Sequence, residues 1–137
     1  MTLANLGAPP EFRFGPVSRT DLVRYAGASG DFNPLHHDEP FARAAGLPGV
    51  MAHGMFSAGL LGSFLLAWIG ERPIRRYKMR FLSPVWPGDI LHAGGEVVSF
   101  SGTVALLALR LWREDGAEVV AGEAEIECAA AQQGATN

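Results

Sequence analysis

The chain has 137 residues, of which 48% are hydrophobic and 18% are charged, with a formal net charge of −3. We expect one domain over residues 1–137, with loose ends at 1–10 and 129–137. An acidic chain without a dense basic face excludes binding to a phosphate backbone as the main role, so no nucleic-acid partner is predicted. The one cysteine, Cys128, excludes an intramolecular disulfide and offers no metal-ligand spacing. Residues 1–10 lack the pattern of a signal peptide, and we expect a cytoplasmic protein.

The first third of the chain predicts a short strand and two helices. Apolar and charged residues alternate within 11–16, which is typical of a strand. Ser18 has the hydroxyl needed to cap a helix that glycines close in the 27–30 stretch. Asp38 can cap a second, shorter helix over 39–45. The segment between the two helices is therefore predicted to be a loop.

A long apolar segment follows. No residue from Gly54 through Gly70 is charged, and the bulky apolar residues lie all round the helix predicted over 53–69. Since a membrane span needs about 20 apolar residues, we interpret this segment as a core helix and expect no membrane span.

The last half changes to the period of two that is typical of strands. Asp115-Gly116 is a strong hairpin signal within it. The predicted strands cover residues 77–84, 90–100, 103–114 and 118–128. Helices early and antiparallel strands late predict the α+β fold class.

The loop between the first helices holds a carboxylate and an imidazole, Asp31 and His36. Alone, such a pair is more typical of a turn than of a site. Here Gly30 and Pro34 bend the backbone, so that both side chains can converge on one water molecule. Downstream, Gly54 starts the apolar helix with an accessible N–H, which suits a carbonyl oxygen that becomes an oxyanion. The whole constellation favours a catalytic site over a turn.

This constellation has a familiar form. The run from Asp31 to His36, followed by Ala52-His53-Gly54-Met55, closely resembles the hydratase motif of the MaoC-like (R)-specific enoyl-CoA hydratases and hydroxyacyl dehydratases. Tyr25-Ala26-Gly27, Trp68-Ile69-Gly70 and the strand at 77–84 are similar to the catalytic subunit of heterodimeric hydroxyacyl-carrier-protein dehydratases. The resemblance covers roughly residues 12–128.

The resemblance implies a hot-dog fold, in which an antiparallel sheet wraps around one central helix, and a homodimer or heterodimer of such subunits. It implies reversible hydration of trans-2-enoyl thioesters to (R)-3-hydroxyacyl thioesters. Asp31 and His36 would be the catalytic dyad, Asn33 their polar support and Gly54 the donor to the thioester oxygen. The family needs no metal and no separate cofactor, since coenzyme A or phosphopantetheine is part of the substrate. Gly62 stands where some members carry a hydroxyl, and no residue is assigned that role.

Other residues are candidates for substrate binding, each with a plainer alternative. His53, Met55 and Ser57 lie at the start of the apolar helix, and His53 can equally be a structural hydrogen-bonding residue.

A basic row on the strand after that helix has two interpretations. Arg76, Lys78 and Arg80 either anchor substrate phosphates or form a solvated strand face. Two rival functions also stay open: a hot-dog thioesterase, and a non-catalytic partner subunit of a heterodimeric dehydratase.

Overall fold

The computed structural model describes residues 6–128, which form a five-stranded antiparallel sheet and a set of helices packed on it. The helices are α1 (Arg19–Ser29), α2 (Glu39–Ala44) and α3 (Gly54–Ile69), with a 3-10 turn at Pro34–His36. The strands are β1 (Phe12–Phe14), β2 (Ile74–Phe81), β3 (Leu91–Ser101), β4 (Val104–Arg113) and β5 (Glu118–Glu127), in the sheet order β1-β3-β4-β5-β2.

The inner face of the sheet packs against α3. Alternate residues of β4 and β5 point inward and are buried: Ala105, Leu107, Leu109, Leu111, Val120, Ala124 and Ile126. Leu61, Phe64 and Leu65 of α3 meet them and are fully buried. A Cβ on Gly95 would lie 2.6 Å from the Trp68 ring, so glycine there lets β3 approach the helix. The α+β class, the antiparallel sheet and its central helix are confirmed.

Most predicted boundaries hold to within one or two residues, and one strand is displaced. The prediction of a strand over 77–84 ends three residues too late, because β2 spans Ile74–Phe81. Beyond Phe81 the amides of Leu82 and Ser83 both reach the Val119 carbonyl, so the chain leaves the regular ladder of β5. In this register the inward side chains of β2 are Tyr77, Met79 and Phe81.

One side of α3 is not covered by the rest of the described chain. Met55 and Leu66 are each 56% exposed, and Gly59 and Ser63 between them are exposed as well. Within residues 6–128, nothing lies within 4 Å of a Cβ built on Gly59 or Gly62, so no described segment approaches the helix closely at these glycines. Among the described helices, none is long and apolar enough to cross a membrane.

Candidate active site

The loop that follows α1 is bent by a short relay of side-chain to backbone hydrogen bonds. Gly30 ends α1 with φ 72°, a left-handed conformation that glycine adopts without strain. Asp31 Oδ1 then accepts from the Asn33 amide at 3.2 Å, and Asn33 Oδ1 accepts from the Leu35 amide at 3.0 Å. Asn33 thereby caps the 3-10 turn, which sequence reasoning did not predict, although Asn-Pro is a signal for it.

His36 lies at the end of that turn with its ring orientation fixed. Its Nδ1 is 2.7 Å from the Met51 carbonyl oxygen. Because a carbonyl only accepts, Nδ1 carries the proton and Nε2 carries the lone pair. Nε2 is 3.9 Å from Asp31 Oδ2, and the side chains of His36 and Asp31 are 10% and 53% exposed. The structure thus brings an imidazole acceptor beside an open carboxylate.

His53 packs against both members of this pair. Its ring is 2% exposed, and Nε2–H donates to the Asp31 backbone carbonyl at 3.0 Å. The ring stacks on His36 with centroids 3.7 Å apart and planes 23° apart. Tyr25 of α1 covers it at 4.8 Å. His53 therefore makes the structural hydrogen bond that the sequence left open, and its stack on His36 carried no sequence signal.

Asp31, His36 and His53 each offer a possible metal-ligand atom, and these atoms lie within 4.8 Å of one another. The geometry does not favour one ion. Lone pairs of imidazole lie in the ring plane, so two rings stacked 3.7 Å apart with planes 23° apart hold them in two nearly parallel planes rather than aiming them at one point. In addition, His36 Nδ1 and His53 Nε2 are engaged with carbonyl oxygens. The arrangement suits a water molecule better than a metal.

The first turn of α3 supplies hydrogen-bond donors next to this cluster. His53 is the N-cap and makes no side-chain cap. The Phe56 amide bonds to the His53 carbonyl at 3.1 Å, so within residues 6–128 the Gly54 and Met55 amides are left without an intrahelical partner. Gly54 is the first helical residue and is exposed, so its N–H is accessible to a ligand. The positive end of the helix favours an oxygen that gains negative charge there.

A cavity of about 380 Å³ opens beside Gly54. Its walls are mostly apolar and come from the segments around α2, the start of α3 and the end of β2: Leu47, Pro48, Met51, Ala52, Gly54, Ser57, Phe81, Leu82, Ser83, Pro84, Val85, Trp86 and Val119. Ser57 is thus a cavity residue, whereas Met55 faces outward and is not. Of the two tryptophans near α3, Trp86 lines the cavity and Trp68 fills the core.

The structure does not bring the basic row into this cavity. Arg76 lies 3.6 Å from Glu125, and the register of β2 with β5 sets Lys78 opposite Glu123. Arg80 stands opposite Ala121 and next to Phe81, a cavity residue. Of the three cations, Arg80 is therefore the one nearest to the cavity wall in sequence and the one without a carboxylate across the strand.

An ion pair joins the two helices on either side of the loop that carries Asp31 and His36. Arg19 of α1 binds Glu39 of α2, and this hydrogen bond holds the pKa of the Glu39 carboxyl below its ordinary value. The two helices on either side of Asp31 and His36 are joined in this way. His37 follows the 3-10 turn and is exposed.

The sheet wraps around a helix whose start is uncapped, and a loop brings a carboxylate and an imidazole beside that start. These features together define a class of protein. The chain belongs to the family described as MaoC like domain, whose model matches residues 2–105. The (R)-specific enoyl-CoA hydratase of Aeromonas caviae is 33% identical over 125 residues, which are 84% of this chain and 87% of that protein. The 3-hydroxyacyl-thioester dehydratase Y of Mycobacterium tuberculosis is 37% identical over 86 residues, 60% of this chain and 30% of the relative.

Some relatives are much longer. Fatty acid synthase subunit beta of Saccharomyces cerevisiae is 35% identical over 106 residues, which are 75% of this chain and only 5% of that subunit. The chain therefore corresponds to a small part of such synthases.

Solved structures share the whole fold. The (R)-hydratase of Aeromonas caviae involved in PHA biosynthesis superposes with a TM-score of 0.80 and 27% identity, covering 92% of this chain and 99% of that one. R-hydratase PhaJ1 of Pseudomonas aeruginosa gives a TM-score of 0.78 and 30% identity, with 91% and 83% covered. The hot-dog fold implied by the sequence motif is confirmed.

Proposed function

We propose that this chain catalyses the reversible hydration of trans-2-enoyl thioesters to (R)-3-hydroxyacyl thioesters in fatty-acyl metabolism. The observation that carries the proposal is the 3.9 Å separation of His36 Nε2 and Asp31 Oδ2 beside the start of α3. Two acceptors at this distance can bind one water molecule between them. The names of the relatives, hydratase and dehydratase, describe the same reaction in its two directions.

The reaction needs a water oxygen at the β-carbon and a proton at the α-carbon. His36 and Asp31 each accept a hydrogen bond from the bound water, and the dyad takes one of its two protons as the oxygen adds to the β-carbon. The second proton stays on the new hydroxyl group. The electron pair of the double bond moves onto the thioester oxygen, which Gly54 N–H stabilises as an enolate. The proton taken from water then passes from the dyad to the α-carbon, which restores both groups. Dehydration runs through the same steps in reverse.

The cavity beside Gly54 fits the apolar part of such a substrate. An acyl chain has no polar groups that need partners, whereas a pantetheine arm carries amides that would lose hydrogen bonds in apolar surroundings. We therefore place the acyl chain in the cavity and the coenzyme A or carrier-protein arm outside it. No metal or separate cofactor takes part in this mechanism.

We propose that a second hot-dog subunit, identical or different, covers the open side of α3. Met55 and Leu66 are large apolar residues that stand 56% exposed on one helix, and the exposed glycine between them lets another surface approach closely. Such a stripe is typical of an interface.

We also propose the cytoplasm as the compartment, because Cys128 is a free, half-buried thiol and reducing compartments keep thiols free.

The test is a hydration assay with crotonyl-CoA and longer trans-2-enoyl-CoA substrates, followed by the loss of the conjugated thioester absorbance. Chiral analysis of the product must give the (R)-3-hydroxyacyl thioester. A thiol reagent added in parallel detects free coenzyme A, which would appear instead if the chain were a thioesterase. Activity that requires mixing with another hot-dog chain would identify a non-catalytic partner subunit.

A further inference from the structure

His53 belongs to neither the dyad nor the cavity wall, yet it touches both members of the dyad. We propose that His53 is a positioning residue that sets the distance between Asp31 and His36. The proposal rests on the proposed hydratase function, because it concerns the geometry of the same site. It differs from a role in binding substrate, since the ring is 2% exposed and leaves no face for a ligand.

Two contacts of different kinds carry the proposal. The Nε2–H of His53 holds the backbone carbonyl of Asp31 at 3.0 Å, which fixes the residue that bears the carboxylate. The ring face of His53 lies on the His36 ring at 3.7 Å, which fixes the plane of the imidazole. Among the described residues, no other side chain contacts both Asp31 and His36, which are otherwise connected through the loop between them. One side chain from the start of α3 thus ties both to the rigid core.

The ring itself is held on its other face. Tyr25 of α1 lies 4.8 Å from His53, at an interplanar angle of 57°. The ring is therefore enclosed between α1 and His36, and a shift of His53 would move His36 with it.

Stability does not explain why a histidine occupies this position. His53 Nδ1 is buried and finds no hydrogen-bond partner within residues 6–128, which is a cost that native proteins avoid. His53 is also the N-cap of α3, where Ser, Asp or Asn would cap the helix, and it makes no cap bond. A histidine here therefore lowers the stability of the fold in two ways. Its two contacts with Asp31 and His36 are the interactions that only this side chain provides at this position.

The experiment separates the two contacts. His53→Phe keeps a ring on His36 and removes the donor to Asp31, while His53→Gln keeps a donor and removes the ring. We expect each variant to lower kcat by about 10-fold and His53→Ala by about 10²-fold, because small misplacements of reacting groups are costly. KM for crotonyl-CoA should stay within about 3-fold of wild type, since no substrate contact is lost. His53→Phe removes the unpaired Nδ1 and also the hydrogen bond to Asp31, and these changes have opposite effects on stability, so we expect Tm to stay close to that of the wild type.

The matched control is His92, which also stacks on an aromatic ring, that of Trp112, at 5.8 Å and 25°. It lies on the outer face of the sheet, away from the dyad, and its side chain is 28% exposed. His92→Phe and His92→Gln should leave kcat and KM unchanged.

Wild-type kcat in both His53→Phe and His53→Gln would overturn the proposal. It would equally fail if KM rose while kcat stayed intact, or if the lost activity merely followed the loss of folded protein. A second readout does not depend on turnover: the His36 Nδ1–H proton, which bonds to the Met51 carbonyl, should exchange with solvent faster in His53→Gln than in the wild type, because the imidazole has lost the ring that holds its plane. Unchanged exchange of this proton, followed by NMR, counts against positioning even if the chain proves not to be a hydratase. A wild type inactive on all enoyl thioesters, with the expected faster exchange in the variant, refutes the proposed function alone.

Discussion

His36 Nε2 and Asp31 Oδ2 face each other at 3.9 Å. This distance is too long for a direct hydrogen bond, which needs about 2.7–3.2 Å, and short enough for one water molecule to join both atoms. The bond from His36 Nδ1 to the Met51 carbonyl keeps the imidazole from turning toward the carboxylate. The two groups are thus held apart rather than paired, which leaves room for the water molecule that the proposed hydration uses.

Loss of either dyad group should abolish most of the turnover. Asp31→Asn keeps an oxygen for the Asn33 amide and removes the charge, and His36→Ala removes the proton acceptor. Each should lower kcat by about 10²-fold or more, with substrate binding retained. Because the two groups act on one water, the double variant should lose far less than the product of the single losses. Steady-state hydration of crotonyl-CoA by folded variants measures this, and near-normal kcat would reduce both residues to turn formers.

The Gly54 amide can be removed without breaking α3. Gly54 is the first helical residue, where proline is well tolerated, and the ψ of 141° at His53 suits a residue before proline. Gly54→Pro should therefore keep the fold and lower kcat by about 10²-fold, as the loss of an oxyanion donor does. Gly54→Ala is the control, since it keeps the N–H and brings its Cβ only to 3.4 Å from the Phe81 ring. Equal activity of the two variants would show that this amide does not hold the thioester oxygen.

Asn33 should support the site through the cap that it provides. Asn33→Ala removes the acceptor for the Leu35 amide, so we expect a loss of about 1 kcal/mol in the free energy of unfolding. It should also lower kcat, because His36 ends the turn that this bond starts. Asn33→Asp keeps the acceptor, so its free energy of unfolding and its kcat should both stay close to the wild-type values. Asp38→Ala removes the equivalent cap of α2 and is expected to change stability without changing kcat, as urea unfolding and initial rates would show.

If the basic row anchors substrate phosphates, its three residues should differ in how much each contributes to KM. Arg80 has no carboxylate across the strand, whereas Arg76 and Lys78 face Glu125 and Glu123. Arg80→Gln should therefore raise KM for coenzyme A substrates more than Arg76→Gln does, with kcat unchanged. Added salt should reduce the difference between wild type and variant. If replacing Arg76, Lys78 and Arg80 together with Gln left KM at its wild-type value, the row would be only a solvated strand face.

A charge on the open side of α3 should separate the subunits. Leu66→Glu puts a carboxylate on the apolar stripe, and burying it in an interface without a partner would be costly. We expect sedimentation to show a dimer for the wild type and a monomer for this variant. Val98→Glu is the matched control, because Val98 is 55% exposed on β3 while Leu66 is 56% exposed on α3. A stable wild-type monomer with full activity would contradict the proposed partner.

Local sequence determined the elements and the residues of the motif. Ser18 and Asp38 cap the helices that they were expected to cap, and the change of period after Gly70 marks the start of the last four strands of the sheet. These features depend on side chains acting on their own or adjacent backbone, so a short window of sequence contains the cause. The approach of Asp31 to His36 is also local, since the Asn33-Pro34 turn brings them together.

Contacts between distant segments were decided only by the tertiary structure. The Met51 carbonyl orients His36, the His53 ring stacks on it, and Glu125 neutralises Arg76. None of these follows from spacing, because each depends on how α3 meets the loop or on the register of two strands. A shift of one residue in that register would turn every side chain of β2 to the other face. The sequence by itself therefore determined which residues form the candidate site, and the packing of α3 against the loop and sheet decided how they are held.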